Sequence, residues 1–442
     1  MRDKFKVVLT LSGPLFGEAF WAVTIGSVIV LFVSNLGSNN LAALGLANTA
    51  INAVLITIAA FGTAIASLTA RTHGALDKSS TALIAGQTLI YSTVFGLALV
   101  LPFYFLATYV FSSVSDFSEA TVDLAYKLLR VYILFLPLYF FIFNLRGFLQ
   151  GLGNMRALMM QGLVTSALGL VAVSLFINSA GMKVFGVPLG QGSMLIFGVL
   201  VLLIYSCRRI GTKAVLTNTR SANIPLLKKI ALLAWPIVVE QALMQGCILT
   251  LTVLLAKVGE IQFAGYQIAL TLIQYPYMIF NCLGGISITI AGNFFGNGQY
   301  RKAFSYVHFV KNCGVVAIFV VGAVFAYFSH ALVQIMSNEP DVLVWAEICL
   351  GMALLEMPFA LIWNVYGFAL RGMGDTKWPM YSTIVGVAGI RLPLVYLFVV
   401  LLHYNVAVVW LIYAGDSVVR AAIMWTRFRW LEKRNNLMEE TC

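Results

Sequence analysis

The chain has 442 residues, of which 60% are hydrophobic and only 10% charged. Apolar runs fill its whole length, which excludes an ordinary soluble domain and marks an all-α polytopic membrane protein. The net charge of +11 does not point to nucleic acid, because the basic residues sit in short segments between apolar runs and act there as topology signals.

In chain order the apolar segments predict six spans near 10–34, 44–70, 82–110, 124–146, 158–178 and 187–206. Six more lie near 230–256, 262–291, 304–328, 342–366, 379–401 and 404–426. None shows the alternating ten-residue pattern of a transmembrane barrel, and helices satisfy their own backbone polar groups in lipid. The expected organisation is an N-lobe at 1–206, a basic linker at 207–229, a C-lobe at 230–426 and a tail at 427–442.

Lys and Arg alternate across these spans. One set of segments holds Arg2, Lys4 and Lys6, then Arg71 and Lys78, then Arg146 and Arg156, and later Arg208, Arg209, Arg220, Arg301, Arg371 and Arg427. The loops between them hold Asp116, Glu119, Asp123, Glu260, Glu339 and Asp341 instead. The positive-inside rule then predicts a multi-pass protein of the cell (inner or plasma) membrane with both termini cytoplasmic. The first apolar segment exceeds a signal-peptide core and has no small-residue cleavage site, so it reads as the first helix. The six cysteines, Cys442 included, show no metal or redox spacing. The four histidines, His73, His308, His330 and His403, are dispersed, so neither a metal site nor a catalytic dyad is expected.

The chain is an internal duplication. Pro14 and Glu18 match Pro236 and Glu240, both at an offset of 222 residues, and Gly37 matches Gly259. LAALGLANTAINAV at 41–54 aligns with FAGYQIALTLIQYP at 263–276, and GALDKSSTA at 74–82 with GNGQYRKAF at 296–304. After a one-residue shift Pro137 pairs with Pro358, and LQGLGNMRALM at 149–159 with LRGMGDTKWPM at 370–380. Six spans per half is an even number, so the expected arrangement is two parallel six-helix repeats.

Polar groups at membrane depth are costly and mark candidate sites. Glu240 sits beside Gln241, with Gln245 a turn further on. Such a carboxylate can carry a proton, hold a partly dehydrated Na⁺, or serve as a protonated structural peg. Glu18 is its repeat-mate. Glu356 lies two residues before Pro358, whose missing N–H frees a carbonyl. Arg391 could pair with Glu356 or another acid, and Asp416 and Arg420, at i and i+4, could satisfy each other. The candidates for ion coupling are therefore Glu240, Glu356, Glu18 and Gln241, with Arg391 as a possible ion-pair partner. Those for a substrate cavity are Gln267, Asn48, Asn52, Gln245, Gln274 and Tyr275.

Five stretches, LAALGLANTAINAV, AGYQIAL at 264–270, LQGLGNMR, LRGMGDTKWPM and RLPLVYLF at 391–398, occur in an order and spacing that resemble the multidrug and toxic compound extrusion (MATE) family. The resemblance covers both halves. It implies a V-shaped, two-lobe transporter that exports amphipathic organic molecules, with a Na⁺ or H⁺ gradient as the power source. Many prokaryotic relatives carry an aspartate near the position of Ile29 and an Asn/Asp pair in the fifth helix, where this chain reads LVTSALGLVAVSLF; neither acid is present here. Other relatives use carboxylates in the seventh and tenth helices, and Glu240 and Glu356 lie in those helices within about a turn of the family positions.

The expected function is a secondary active exporter of amphipathic or cationic drugs or natural products. It would be a monomer that is not an enzyme, with no cofactor beyond the coupling Na⁺ or H⁺ and no metal beyond a possible Na⁺ site. No phosphate-cradling Walker loop is present. The alternative is a lipid-linked oligosaccharide flippase of the same superfamily, whose anionic cargo calls for a basic cavity. An integral-membrane enzyme and an ion channel fit less well, for want of an interfacial His/Asp/Glu cluster and of a charged filter ring.

Overall fold

The computed structural model describes residues 2–34, 36, 38–112, 119–178, 181–219, 222–256, 258–337 and 339–441. Gly37, Asp116, Arg220 and Cys442 lie outside the described residues. Among those described, every regular element is helical. Helices α1 (Arg2–Ser34), α2 (Ser38–Gly74), α3 (Lys78–Ser112), α4 (Glu119–Leu134), α5 (Leu136–Gly151), α6 (Met155–Asn178) and α7 (Gly186–Ile210) are followed by a short α8 (Thr212–Thr217). The second half contains α9 (Ile224–Ala256), α10 (Glu260–Gly296), α11 (Tyr300–Tyr327), α12 (Ser329–Gln334) and α13 (Pro340–Met373). It closes with α14 (Lys377–Thr383), α15 (Leu392–Val395) and α16 (Ala407–Thr441).

Eleven of the described helical segments are long and apolar enough to cross a membrane, and α4 with α5 adds a twelfth as a pair bent by 52°. The fourth predicted span is thus a broken helix. Pro137, at the second position of α5, has no N–H to donate and its ring crowds the preceding turn, so the chain re-starts there. Its repeat-mate Pro358 stays inside the continuous α13. The eleventh span, Lys377–Leu401, is also irregular. Two π-helical stretches, Ile384–Arg391 and Tyr396–Leu401, flank the α-helical turn that holds Pro393. Widening to i→i+5 bonding accommodates the proline ring and the missing donor, and such π segments recur at functional sites.

The chain forms two compact units, one from Thr10 to Ala234 and the other from Trp235 to Cys442 together with Met1–Leu9. The core of the first unit gathers Ile29, Val33, Leu44, Ile51, Leu128, Tyr132, Phe140 and Val173. In each unit a glycine seam holds two helices backbone to backbone. A Cβ on Gly151 of α5 would lie 2.7 Å from the Ala66 carbonyl of α2, and one on Gly372 of α13 would lie 2.4 Å from the Ile288 carbonyl of α10. Ala66 and Ile288 differ by the repeat offset of 222 residues. Small residues drive this packing because lipid offers no hydrophobic force between helices.

Candidate functional site

Two of the predicted acids have arginine partners that sequence reasoning had assigned only to topology. Glu240 of α9 accepts two hydrogen bonds from Arg371 of α13, at 2.6 and 2.7 Å, and both residues are 3% exposed. Glu18 of α1 accepts from Arg146 of α5 at 2.7 and 3.0 Å. Arg146 also donates to Gln161 at 2.5 Å. Gly162 leaves room for the Glu18 carboxylate, since a Cβ there would lie 2.7 Å from its Oε1. Repeat-mate acids are therefore each met by an arginine of the helix that follows the proline of their own unit. The register differs: Arg371 aligns with Gln150, and Arg146 stands one turn earlier. That shift hid the match from a residue-by-residue comparison of the repeats.

Glu356 has different company. Its carboxylate accepts from Ser417 Oγ at 2.8 Å and from Tyr277 Oη at 3.2 Å, and Arg391 Nη2 stands 3.8 Å away. The nearer partner of Arg391 is Asp416, at 2.5 Å. Arg391 does face Glu356, but its tight ion pair is with Asp416. Asp416 and Arg420 do not share the i, i+4 pairing the sequence allows. Arg420 donates to Thr383 Oγ1 at 2.9 Å and stacks 3.6 Å from the Trp363 ring. Arg391 lies at the end of the π-helical stretch Ile384–Arg391 and Thr383 at the end of α14, and both meet side chains of α16. Arg391 also lies 3.8 Å from the Tyr413 ring, and Tyr413 shares a hydrogen bond with Tyr266 at 3.2 Å.

This cluster joins two carboxylates and two guanidiniums, formally neutral, on α10, α13, α16 and the eleventh span. All four charged groups are 5% exposed or less. Gly386 is needed for closure, since a Cβ there would lie 2.1 Å from Asp416 Oδ1 and 2.6 Å from Arg420 Cγ. Such an arrangement can take up one proton on Glu356 while the Asp416–Arg391 pair stays intact. The sequence offered Tyr277 only as a possible lining residue of a substrate pocket, and Ser417 and Thr383 had no signal of their own, because isolated hydroxyls in apolar helices are common packing residues.

The remaining predicted residues stand apart from these acids. Gln241, Gln245 and Gln267 are half-buried, and none is among the hydrogen-bond partners of Glu240 or Glu356. Gln274 and Tyr275 are exposed, as is Asn52, while Asn48 is half-buried. In the first unit a cavity of about 220 Å³ is lined by Ile25, Ile29, Tyr139, Thr165, Ser166 and Gln191, among others. The resemblance places one missing acid near Ile29 and the other within the LVTSALGLVAVSLF stretch that holds Thr165 and Ser166, and none of the residues that line this cavity is charged. Among the described residues no group of three or more His, Cys, Asp or Glu side chains could hold a metal ion.

Comparison with known proteins agrees with this architecture. The family model MatE matches twice, over residues 14–176 and 236–397, so each half is one copy of the repeat. The uncharacterized transporter YisQ of Bacillus subtilis is 21% identical, covering 98% of this chain and 96% of its own. The multidrug export protein MepA of Staphylococcus aureus is 22% identical, covering 95% and 92%. The solved structure of the Vibrio cholerae MATE transporter VcmN superposes with a TM-score of 0.90 at 16% identity, over 99% of this chain and 98% of that one. A MOP-superfamily transporter from Pyrococcus furiosus, described as having a binding pocket of reverse polarity, superposes at 0.88 with 18% identity over 98% and 97%. With both halves matched and the fold shared from end to end, this chain belongs to the MatE family, the multidrug and toxic compound extrusion transporters.

Proposed function

We propose that this protein is a secondary active exporter of amphipathic or cationic organic molecules, driven by inward H⁺ or Na⁺ movement, with both termini cytoplasmic in the cell membrane. The name of MepA, a multidrug export protein, supports the substrate class, and the alternation of basic and acidic loops supports the orientation. The observation that carries the coupling assignment is the setting of Glu356. It is a buried carboxylate held by two hydroxyls, beside an arginine whose closer partner is another acid.

In this reading Glu356 is the coupling carboxylate. A proton entering there takes the cluster from formally neutral to singly positive, which disfavours the state that holds an organic cation. Export requires the proton and the substrate to prefer different states, because a ligand with equal affinity for both shifts nothing. A proton suits this site better than Na⁺, since a proton needs only one carboxylate oxygen, whereas Na⁺ needs several oxygen ligands and this carboxylate already meets Ser417, Tyr277 and a guanidinium. Glu240 and Glu18, each tied to an arginine, act as structural clamps within their units. Gln267 and Gln245 are the polar residues proposed for substrate contact in the second unit. The uncharged cavity around Ile29 receives the apolar part of a substrate and holds no proton site.

The test is efflux of a fluorescent organic cation from vesicles reconstituted with the wild type or with Glu356→Gln. A pH or Na⁺ gradient is imposed in turn. Transport driven by the pH gradient and lost in the variant is the expected result. Unchanged transport in Glu356→Gln would remove the coupling role from this residue, and no cation transport under either gradient would favour the flippase.

A further inference from the structure

The segment after α7 is strapped to α3. Gln87, 1% exposed, donates to the Asn218 carbonyl at 2.8 Å and accepts from the Asn223 N–H at 2.7 Å. Tyr91 Oη donates to the Asn223 carbonyl at 2.5 Å. A Cβ on Gly86 would lie 2.6 Å from Asn218 Cβ, so only glycine lets the segment lie this close. The strap gives a fixed wall to a cavity of about 330 Å³ where α2 and α7 end and α3 begins. His73, Lys78 and Arg209 line it with apolar Leu76, Ile210 and Ala214.

The acid in this cavity, Asp77, is already engaged. It accepts from Ser79 Oγ at 2.7 Å and from the Ser80 N–H at 2.9 Å, capping the start of α3. Lys78 and Arg209 are exposed and appear in no ion pair among the described residues. Leu76 is 76% exposed in the left-handed region at φ 57°, which turns an apolar side chain outward at the rim. In the second half α16 runs on to Thr441, and its Phe428 and Glu432 meet Phe304 and His308 of α11.

We propose that this cavity binds the phosphate headgroup of an anionic phospholipid. Lys78 and Arg209 meet the phosphate, His73 supplies a further N–H donor, and Leu76 and Ile210 cover the start of the acyl chains. The combination of cationic and apolar walls at the end of three spans suits a lipid better than a soluble anion, and each basic residue near such a surface adds about a fivefold preference.

Native mass spectrometry of the full chain in detergent, titrated with phosphatidylglycerol or phosphatidylcholine, tests this. Wild type should retain one phosphatidylglycerol in preference to phosphatidylcholine. Lys78→Gln and Arg209→Gln should each weaken retention about fivefold, with unfolding temperature unchanged. The control Arg301→Gln/Lys302→Gln removes two positive charges from the corresponding segment of the second half, more than either single variant, and should leave retention intact. Equal loss in that control, or none in Lys78→Gln and Arg209→Gln, would overturn the proposal. Displacement of the lipid by millimolar inorganic phosphate would overturn the lipid assignment and give the site to a soluble phosphate.

Discussion

Arg371 donates from a single nitrogen, Nη2, to both carboxylate oxygens of Glu240, in a setting where each side chain is 4% exposed. A buried pair contributes little net stability relative to apolar residues of the same shape, but breaking it strands a charge. Glu240→Gln should therefore destabilise the protein by about 3–5 kcal/mol, and Glu240→Leu/Arg371→Met should recover most of that loss. Glu18→Gln should cost less, because Arg146 and Glu18 are 23% and 15% exposed and water can replace the lost partner. Thermal unfolding in detergent ranks the four proteins; an unaltered unfolding temperature in Glu240→Gln would end the clamp assignment.

Glu356→Gln keeps the hydrogen-bonding shape but cannot take up or release a proton. Gradient-driven export should disappear, while substrate binding measured without a gradient persists. Tyr277→Phe removes one hydrogen bond to the same carboxylate, a loss of about 1.5–3 kcal/mol. Its expected signature is a shifted pH dependence of transport with export retained. A pH profile identical to wild type would show that Tyr277 does not act on Glu356.

Gly386 sits where the π-helical backbone meets α16, with no space for a methyl group beside Asp416. Gly386→Ala should force the two elements apart at a cost of about 1–3 kcal/mol and lower transport together with stability. Gly389→Ala is the comparison, since the nearest atom to a Cβ there is 3.7 Å away. If the two substitutions behave alike, close packing against Asp416 is not what selects glycine at 386.

Outside the membrane, the hydrogen bonds from Ser80 and Ser79 draw the Asp77 carboxyl down from 3.8 to about 2. A carboxyl with a depressed value in the folded state binds fewer protons than the unfolded chain, so its stabilisation is present above about pH 4 and is lost as pH falls towards 2. Asp77→Asn should lower the unfolding temperature at pH 7 and flatten its decline between pH 4 and 2. Unfolding temperatures across that range would expose any error: an equally steep decline in the variant means the acid sensitivity comes from elsewhere.

The sequence by itself determined the membrane class, the twelve spans, the duplication and the family, because each rests on patterns local in the chain. Apolar length sets a span, and repeated stretches such as LQGLGNMR and LRGMGDTKWPM carry the family. It also picked out Glu18, Glu240 and Glu356 as costly groups at membrane depth. Tertiary structure alone decided which partners each acid meets there. Arg371 is 131 residues from Glu240 and Arg146 is 128 from Glu18, so no local spacing announces either pair. The break at Pro137 and the π-helical stretch before Pro393 had the same origin. A proline states that one N–H is missing, but whether the helix bends, breaks or widens depends on what packs against it. That packing turned Arg391 towards Asp416 and left Glu356 to two hydroxyls.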